Sequence, residues 1–259
     1  ARKRVQKSPF QPPVISHPPG KVHITVAIKH AVKGAEATQG LPLLGTLDLN
    51  LYFTGAIGLT AKTAPTHNGL QSWLATLKTT YQQIGLSIGP TSYHDIDAGF
   101  QVVEGVFGGG KSDFEEIAAL TSKSPWGVNM VFVREFAMPV GSPGVVLGIS
   151  GGAPGPVAVH GSGRSAVIIS TAAKIPGGMA ADTGLVMAHE LGHYLGLFHS
   201  SENNFGGFQP AIHDPLPDTP ANDKTNLMYF SAATGALNLS KQQGAVMRTN
   251  PWVRHGGQP

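Results

Sequence analysis

The chain has no cysteine, and this absence excludes several classes of protein at once. Disulfide-stapled folds, thiol catalysis and thiolate zinc sites all need cysteine. Charged residues are also sparse, at 13% of the 259 residues, and no apolar run reaches the length of a membrane-spanning helix. We therefore predict a globular protein without a membrane span, in which 34 glycines and 20 prolines produce many turns and loops.

Positive charge is concentrated near the start of the chain. Residues 1–33 contain seven lysines and arginines and no acidic residue, whereas residues 34–259 contain 11 basic and 15 acidic residues. The net charge of +3 therefore combines +7 in the first segment with −4 in the remainder. The basic residues at 2–7 are either an anchor for an anionic surface or nucleic acid, or else a solvated tail or a cleavage junction left by processing. Because aromatic residues do not alternate with these charges, we expect no nucleic-acid partner.

The most informative stretch is residues 189–199, with the sequence HELGHYLGLFH. His189 and His193 are four positions apart, so on a helix they lie on one face and could bind one Zn²⁺ ion. Glu190 lies beside them as a general base for a metal-activated water. Gly196 ends the helix and turns the chain, so that His199 becomes a third ligand and a fourth position stays open for catalysis. The alternative is an amphipathic helix whose histidines only lie at its surface.

The pattern H-E-x-x-H-x-x-G-x-x-H resembles the zinc signature of the metzincin metallopeptidases, in which a Met-turn follows. The candidate turn is residues 226–230, with Met228 placed 29 residues after His199. The resemblance implies that Met228 lies beneath the metal ligands as a hydrophobic floor. Residues 214–220, DPLPDTP, are similar to the D-x-x-x-D-T-P stretch of the pappalysin-like branch, and the late Met-turn also favours that branch.

The chain departs from the family pattern at two places. The pappalysin-like branch usually has cysteines around D-T-P, and this chain has none. Many metzincins have a tyrosine two residues after the methionine, where this chain has Phe230. The tyrosine stands one residue earlier, at Tyr229, which leaves Tyr229 as a candidate for oxyanion support.

A second metal site is a separate hypothesis for the acidic residues near the Met-turn. Asp214 and Asp218 could bind Ca²⁺, which takes carboxylate and carbonyl oxygens, and some pappalysin-like enzymes carry calcium here. The alternative is that both aspartates cap turns that contain proline. His213 is predicted to be a surface residue, because a fourth protein ligand would close a catalytic zinc site.

Hydrophobic periodicity predicts an α+β fold with an α/β-type N-terminal subdomain. We expect a twisted, mostly parallel sheet with an antiparallel edge strand, backing helices, an active-site helix, and an irregular C-terminal subdomain with a terminal helix. Strands are predicted at 21–30, 46–53, 86–93, 128–136 and 166–170, with the edge strand within 141–163. Helices are predicted at 68–83, 112–120, 182–196 and 240–248, the last packing Ala245, Val246 and Met247 against the body.

The same patterns divide the chain into three parts. Residues 1–20 are predicted as a proline-rich basic linker, and residues 21–45 as an additional strand and its connection. Residues 46–259 are the predicted metallopeptidase domain, with an upper subdomain of about 46–196 and a lower one of about 197–259.

The predicted function is zinc-dependent endopeptidase activity, in which a glutamate general base assists attack by a metal-activated water. The substrate is expected to be a protein or peptide that binds in extended form along the edge strand. The alternative is a catalytically inactive surface or binding protein with a metallopeptidase scaffold. We expect a monomer that is secreted or held at the cell surface and processed from a longer precursor, because the chain begins at Ala1 without a signal peptide.

Overall fold

The computed structural model describes residues 45–104, 112–138, 145–172, 182–201, 213–230 and 236–256. Outside these residues lie the predicted linker at 1–20, the strand predicted at 21–30, and parts of the stretch predicted to hold the edge strand.

One six-stranded sheet organises the protein. Its parallel strands are β1 (Gly45–Phe53), β2 (Leu86–Asp95), β4 (Val128–Val133) and β7 (Val167–Ser170). The sheet order is β2-β1-β4-β7-β6, and the edge strand β6 (Gly148–Ser150) is antiparallel to β7. A short β8 (Val253–His255) pairs antiparallel with the start of β1. The predicted α+β class, with a mostly parallel sheet and an antiparallel edge strand, is confirmed.

The strand predicted over 128–136 is interrupted. After β4 the exposed Arg134 donates its backbone N–H to Gln101 O at 2.8 Å, which takes the chain out of the main sheet. Residues Glu135–Phe136 then form β5, which pairs in parallel with β3 (Val102–Val103) as a separate two-stranded sheet. A continuous apolar run therefore spans two sheets, which period-two patterning alone does not reveal.

The two faces of the main sheet carry separate apolar cores. One core contains the alternating leucines of β1 and packs against α1 (Asn68–Gln82) and α3 (Thr183–Tyr194). The other core packs Val131, Val133 and Ile168 against α2 (Asp113–Leu120). This division follows from the strand period of two, which sends successive side chains to opposite faces.

Helix α3 is held against α1 at close range. The Tyr81 hydroxyl of α1 donates to Ala188 O of α3 at 2.9 Å. Gly184 allows the helices to approach, because a Cβ atom there would lie 2.8 Å from Trp73 O. Since that atom is backbone, a larger residue would push the helices apart, so this contact fixes the height of α3 above the sheet.

The C-terminal region contains the predicted helix and one strand that was not predicted. Helix α4 (Lys241–Thr249) begins with a capping box between Ser240 and Gln243. Met247 is fully buried, as predicted, whereas Ala245 and Val246 are only partly buried. The chain then returns to the main sheet as β8, a segment too short for periodicity to identify.

Short 3₁₀ turns connect the remaining elements at Ala56–Gly58, Ala64–Thr66 and Ala98–Gln101. Among the described residues, no helix has both the length and the apolar character that a membrane crossing needs.

Candidate metal centre

Helix α3 brings the first two predicted ligands onto one face. It begins after Asp182, whose side chain accepts the Gly184 N–H at 2.9 Å, and it ends at Tyr194. Gly196 then takes a φ of 113°, in the left-handed region that favours glycine. The Leu197 N–H donates to Gly192 O at 3.0 Å, and this tight turn carries the chain back towards the helix, where His199 follows.

The three predicted histidines converge on one point. The Nε2 atoms of His189, His193 and His199 are each 3.1 Å from the other two. Among the described residues, they form the only group of three or more histidine or acidic side chains close enough to share an ion. All three are half-buried, so the group lies at the surface of the body rather than in its core.

Hydrogen bonds to backbone carbonyls fix the protonation of two of these rings. His189 Nδ1 lies 2.7 Å from Leu227 O, and His193 Nδ1 lies 2.7 Å from Leu197 O. A carbonyl oxygen only accepts hydrogen bonds, so both Nδ1 atoms must carry a proton. In the neutral rings the Nε2 atoms then present lone pairs, and two lone pairs facing each other at 3.1 Å repel. A shared cation would turn this repulsion into attraction.

The spacing of the nitrogens fits such a cation. Zinc binds imidazole nitrogen at about 2.0–2.1 Å with tetrahedral geometry, so two such ligands stand about 3.3–3.4 Å apart. The 3.1 Å separations are close to this value. Three imidazoles without a thiolate suit a metal ion such as zinc, and the backbone carbonyls provide the orienting hydrogen bonds that metal-bound histidines usually have.

The surroundings keep His189 neutral, as metal binding requires. The pKa of His189 is lowered to about 3, mainly by burial and also by the neighbouring His193 and His199, despite the opposing hydrogen bond to Leu227. The pKa of the Glu190 carboxyl is raised to about 8 by burial, even though a hydrogen bond from the Ser150 backbone acts to lower it. A cation among the histidines would favour the ionised carboxylate.

The side chain of Glu190 extends from the site helix to the edge strand β6. Its carboxyl accepts a hydrogen bond from the Ser150 backbone. A Cβ atom at Gly148 would stand 2.5 Å from Glu190 Cγ and 3.0 Å from Val186 Cγ1, so only glycine admits the glutamate here. The sequence patterns predicted an edge strand in this region but did not identify Gly148 and Ser150 as the residues that contact Glu190. Their signal was weak, since Gly148 is one of many glycines within 141–163.

Met228 packs against the site helix at Gly192. It is fully buried, and its Sδ would stand 2.8 Å from a Cβ atom at Gly192, the residue before His193. Its carbonyl accepts the Ser200 N–H at 2.8 Å, which ties the turn to the segment that carries His199. The preceding Leu227 supplies the carbonyl for His189. The turn therefore contacts the segments of all three histidines.

A buried amide pair connects this turn to helix α4. Asn226 and Gln243 exchange two side-chain hydrogen bonds, each 3.0 Å long. Asn226 Oδ1 also accepts the Met228 N–H at 2.9 Å. The pairing of these two residues was not predicted, because an isolated Asn and Gln 17 positions apart form no recognisable pattern.

The residue predicted to support the oxyanion and the two predicted to bind calcium all contact other parts of the protein. The Tyr229 ring packs against Phe230, with centroids 4.7 Å apart, and Tyr229 forms a backbone bridge with Ser201. Asp214 accepts from Leu216 N at 2.9 Å and from Thr219 Oγ1 at 2.5 Å. Asp218 accepts from Ser240 Oγ at 2.7 Å and from Gln242 N at 3.0 Å, at the start of α4.

The contacts of Asp214 are those of the turn-capping alternative, whereas Asp218 caps the start of helix α4 rather than a turn that contains proline. Calcium binding at the two aspartates stays a prediction. His213 is partly exposed and lies 3.5 Å from Asp214, outside the histidine triad, in accord with its prediction as a surface residue.

Truncating Met228 should loosen the metal centre, whereas a conservative replacement should not. Met228→Ala leaves a cavity beside Gly192 and should lower the free energy of unfolding by about 2–5 kcal/mol. Met228→Leu preserves the apolar volume and should cost less than about 1.5 kcal/mol. Denaturant unfolding measures both values, and a graded chelator series on zinc-loaded protein should show earlier metal loss for the alanine variant only. Equal metal loss in both variants would contradict a packing role for Met228.

Comparison with known proteins adds no family assignment to this geometry. No protein-family model matches the chain, and a search of curated proteins finds no significant match. The chemistry of the site is therefore inferred from the residues and distances described above.

Proposed function

We propose that the protein is a zinc-dependent endopeptidase. The observation that carries this proposal is the convergence of three imidazole Nε2 atoms, next to a glutamate of the same helix, Glu190, whose carboxyl is held by the edge strand. Two of these nitrogens hold lone pairs because their rings donate Nδ1–H to carbonyls, which prepares them as ligands. Three protein ligands leave a fourth position for water or substrate, the arrangement typical of catalytic rather than structural zinc.

Zinc, when bound, would lower the pKa of a water molecule and polarise the scissile carbonyl. His189, His193 and His199 would hold the ion, and Leu227 and Leu197 would orient two of them through their carbonyls. Glu190 would accept the proton of the attacking water at its carboxylate and pass it to the leaving amine nitrogen. The Ser150 backbone hydrogen bond would keep that carboxylate in place through both transfers.

The edge strand provides the means to align a substrate. Leu147 O accepts the Ser170 N–H, and Gly151 N–H donates to Ala166 O, so these positions of the strand segment face β7. In an antiparallel pair, every second residue directs its backbone groups away from the partner strand. Gly148 and Ser150 therefore turn their backbones towards the outer edge, beside Glu190. An extended peptide that adds to this edge would bring its backbone to the metal centre.

A metzincin of the pappalysin-like branch is our proposal for the family. It is supported by the H-E-x-x-H-x-x-G-x-x-H pattern and by the buried position of Met228 under Gly192. Under this proposal the enzyme acts on proteins outside the cell or at its surface. The competing proposal, an inactive binding protein, is favoured by the Tyr229-Phe230 order, which moves the tyrosine from the position usual in metzincins. Activity measurements separate the two.

Replacing the general base should abolish peptide hydrolysis without removing the metal. Glu190→Gln keeps the size of the side chain but cannot accept the proton of water, so kcat should fall by several orders of magnitude. Zinc content, measured by elemental analysis, should stay near one ion per chain. Glu135→Gln, at an exposed position in β5, is the control and should match the parent in both measurements.

Two outcomes of this experiment would decide against the proposal. Near-normal hydrolysis by Glu190→Gln would remove Glu190 from the mechanism. If the zinc-loaded parent cleaves neither casein nor a mixed set of quenched peptides, and a chelator changes nothing, the inactive binding protein becomes the better account.

The close approach of Gly148 to Glu190 generates a second prediction. Gly148→Ala would place Cβ 2.5 Å from Glu190 Cγ, so the carboxylate must shift and kcat/KM should fall at least tenfold. Ser150→Ala removes only a hydroxyl that donates to Gly152 O, and it preserves the backbone N–H that reaches Glu190. That variant should keep most of the activity, and both should retain zinc. Equal activity in the two variants would show that the position of Glu190 does not depend on Gly148.

A further inference from the structure

A pocket lies on the side of the edge strand opposite the metal centre. Its volume is about 290 Å³, and its walls come from the start of α2, the end of β6 and the loop before β7. Its lining includes Phe114, Glu115, Ile149, Ser150, Gly163 and Arg164. We infer that this pocket is a substrate subsite that accepts a large, uncharged side chain. The inference rests on the proposed peptidase function.

The pocket shares one residue, Ser150, with the surroundings of the candidate general base. Ser150 lines the pocket, and its backbone also donates a hydrogen bond to the Glu190 carboxyl. A peptide bond held for attack beside Glu190 therefore has its neighbouring residues within reach of the pocket. A cavity elsewhere on the surface would not have this relation to the reacting atoms.

The alternation of side chains along β6 shows which substrate residues would enter. Gly148 faces α3, because a Cβ atom there would meet Glu190 and Val186. Ile149 faces the opposite way and packs against the core on the α2 side. A peptide added to the outer edge of β6 would alternate in the same manner. Every second side chain would thus point to the α2 face, where the pocket lies.

The size and lining of the pocket define the chemical class of its occupant. Ligand sites for small molecules usually measure about 300–1,000 Å³, so a cavity at the lower limit suits one side chain better than a cofactor. Phe114 and Ile149 give it apolar walls. Glu115 and Arg164 carry opposite charges and are both exposed, so together they give the pocket no net charge that would select a charged side chain. A large uncharged side chain satisfies both conditions.

Filling the pocket provides the test. Gly163→Leu adds a side chain at the pocket wall, and its Cβ would lie 3.3 Å from the flexible side chain of Glu115 at Cγ, which can move aside. Gly99→Leu is the matched control, since its Cβ would lie 3.3 Å from Asp97 Oδ1 at an exposed turn outside the site. Both proteins are compared with the parent as zinc-loaded full chains of verified metal content and thermal midpoint.

The substrates are quenched peptides in which each position near the scissile bond is in turn Gly, Ala, Leu, Phe, Lys or Glu. The parent and Gly99→Leu should prefer Leu or Phe at one position. Gly163→Leu should lose at least tenfold in kcat/KM for Leu and Phe at that position, while its kcat/KM for Ala stays within about twofold. The other positions should keep their profiles. Ile149→Ala, which enlarges the pocket, should shift the preference from Leu towards Phe at the same position.

The contrary outcomes are distinct. If the parent cleaves these peptides but both pocket variants leave its profile unchanged, or lower all rates equally, the subsite is overturned and the peptidase function stands. If the zinc-loaded parent cleaves none of the peptides, the proposed function and the subsite fail together. Should Gly163→Leu fail to fold, the Ile149→Ala profile decides alone.

Discussion

The arrangement of the three-histidine site depends on two hydrogen bonds from imidazole rings to backbone carbonyls. His189 and His193 each donate Nδ1–H to a carbonyl oxygen 2.7 Å away, at Leu227 and Leu197. These bonds settle the tautomer of each ring and turn the Nε2 lone pairs towards His199 at 3.1 Å. Lone pairs directed at one point are what a shared cation requires, and the two carbonyls hold both rings in that orientation.

The support reaches the site from both sides of helix α3. On one side Tyr81 donates to Ala188 O, one residue before His189, which anchors the helix to α1. On the other side Met228 fills the space left by the missing side chain of Gly192. Asn226 connects this turn to helix α4 through its two side-chain hydrogen bonds with Gln243. The C-terminal region thus supports the three histidines through packing and amide hydrogen bonds rather than through charge.

Sequence patterns predicted the parts of this arrangement that depend on local spacing. The spacing of His189 and His193 and the glycine at 196 were enough to predict a triad, because a helix turn and a left-handed glycine are local properties. The parallel sheet also followed from strand and helix periods. The long-range contacts could not be predicted in this way. Gly148 approaches Glu190 across 42 positions of sequence (190 − 148), and the glycine has no side chain to form a pattern.

The most direct test of the account is X-ray absorption at the zinc edge of the loaded protein, with zinc content measured on the same sample. The account predicts one ion per chain, bound by three imidazole nitrogens and one further oxygen at about 2.0–2.1 Å. His199→Ala should reduce the imidazole count to two and weaken binding. Absence of bound zinc, or a shell completed by a fourth protein side chain, would contradict the claim that residues 189–199 form an open catalytic site.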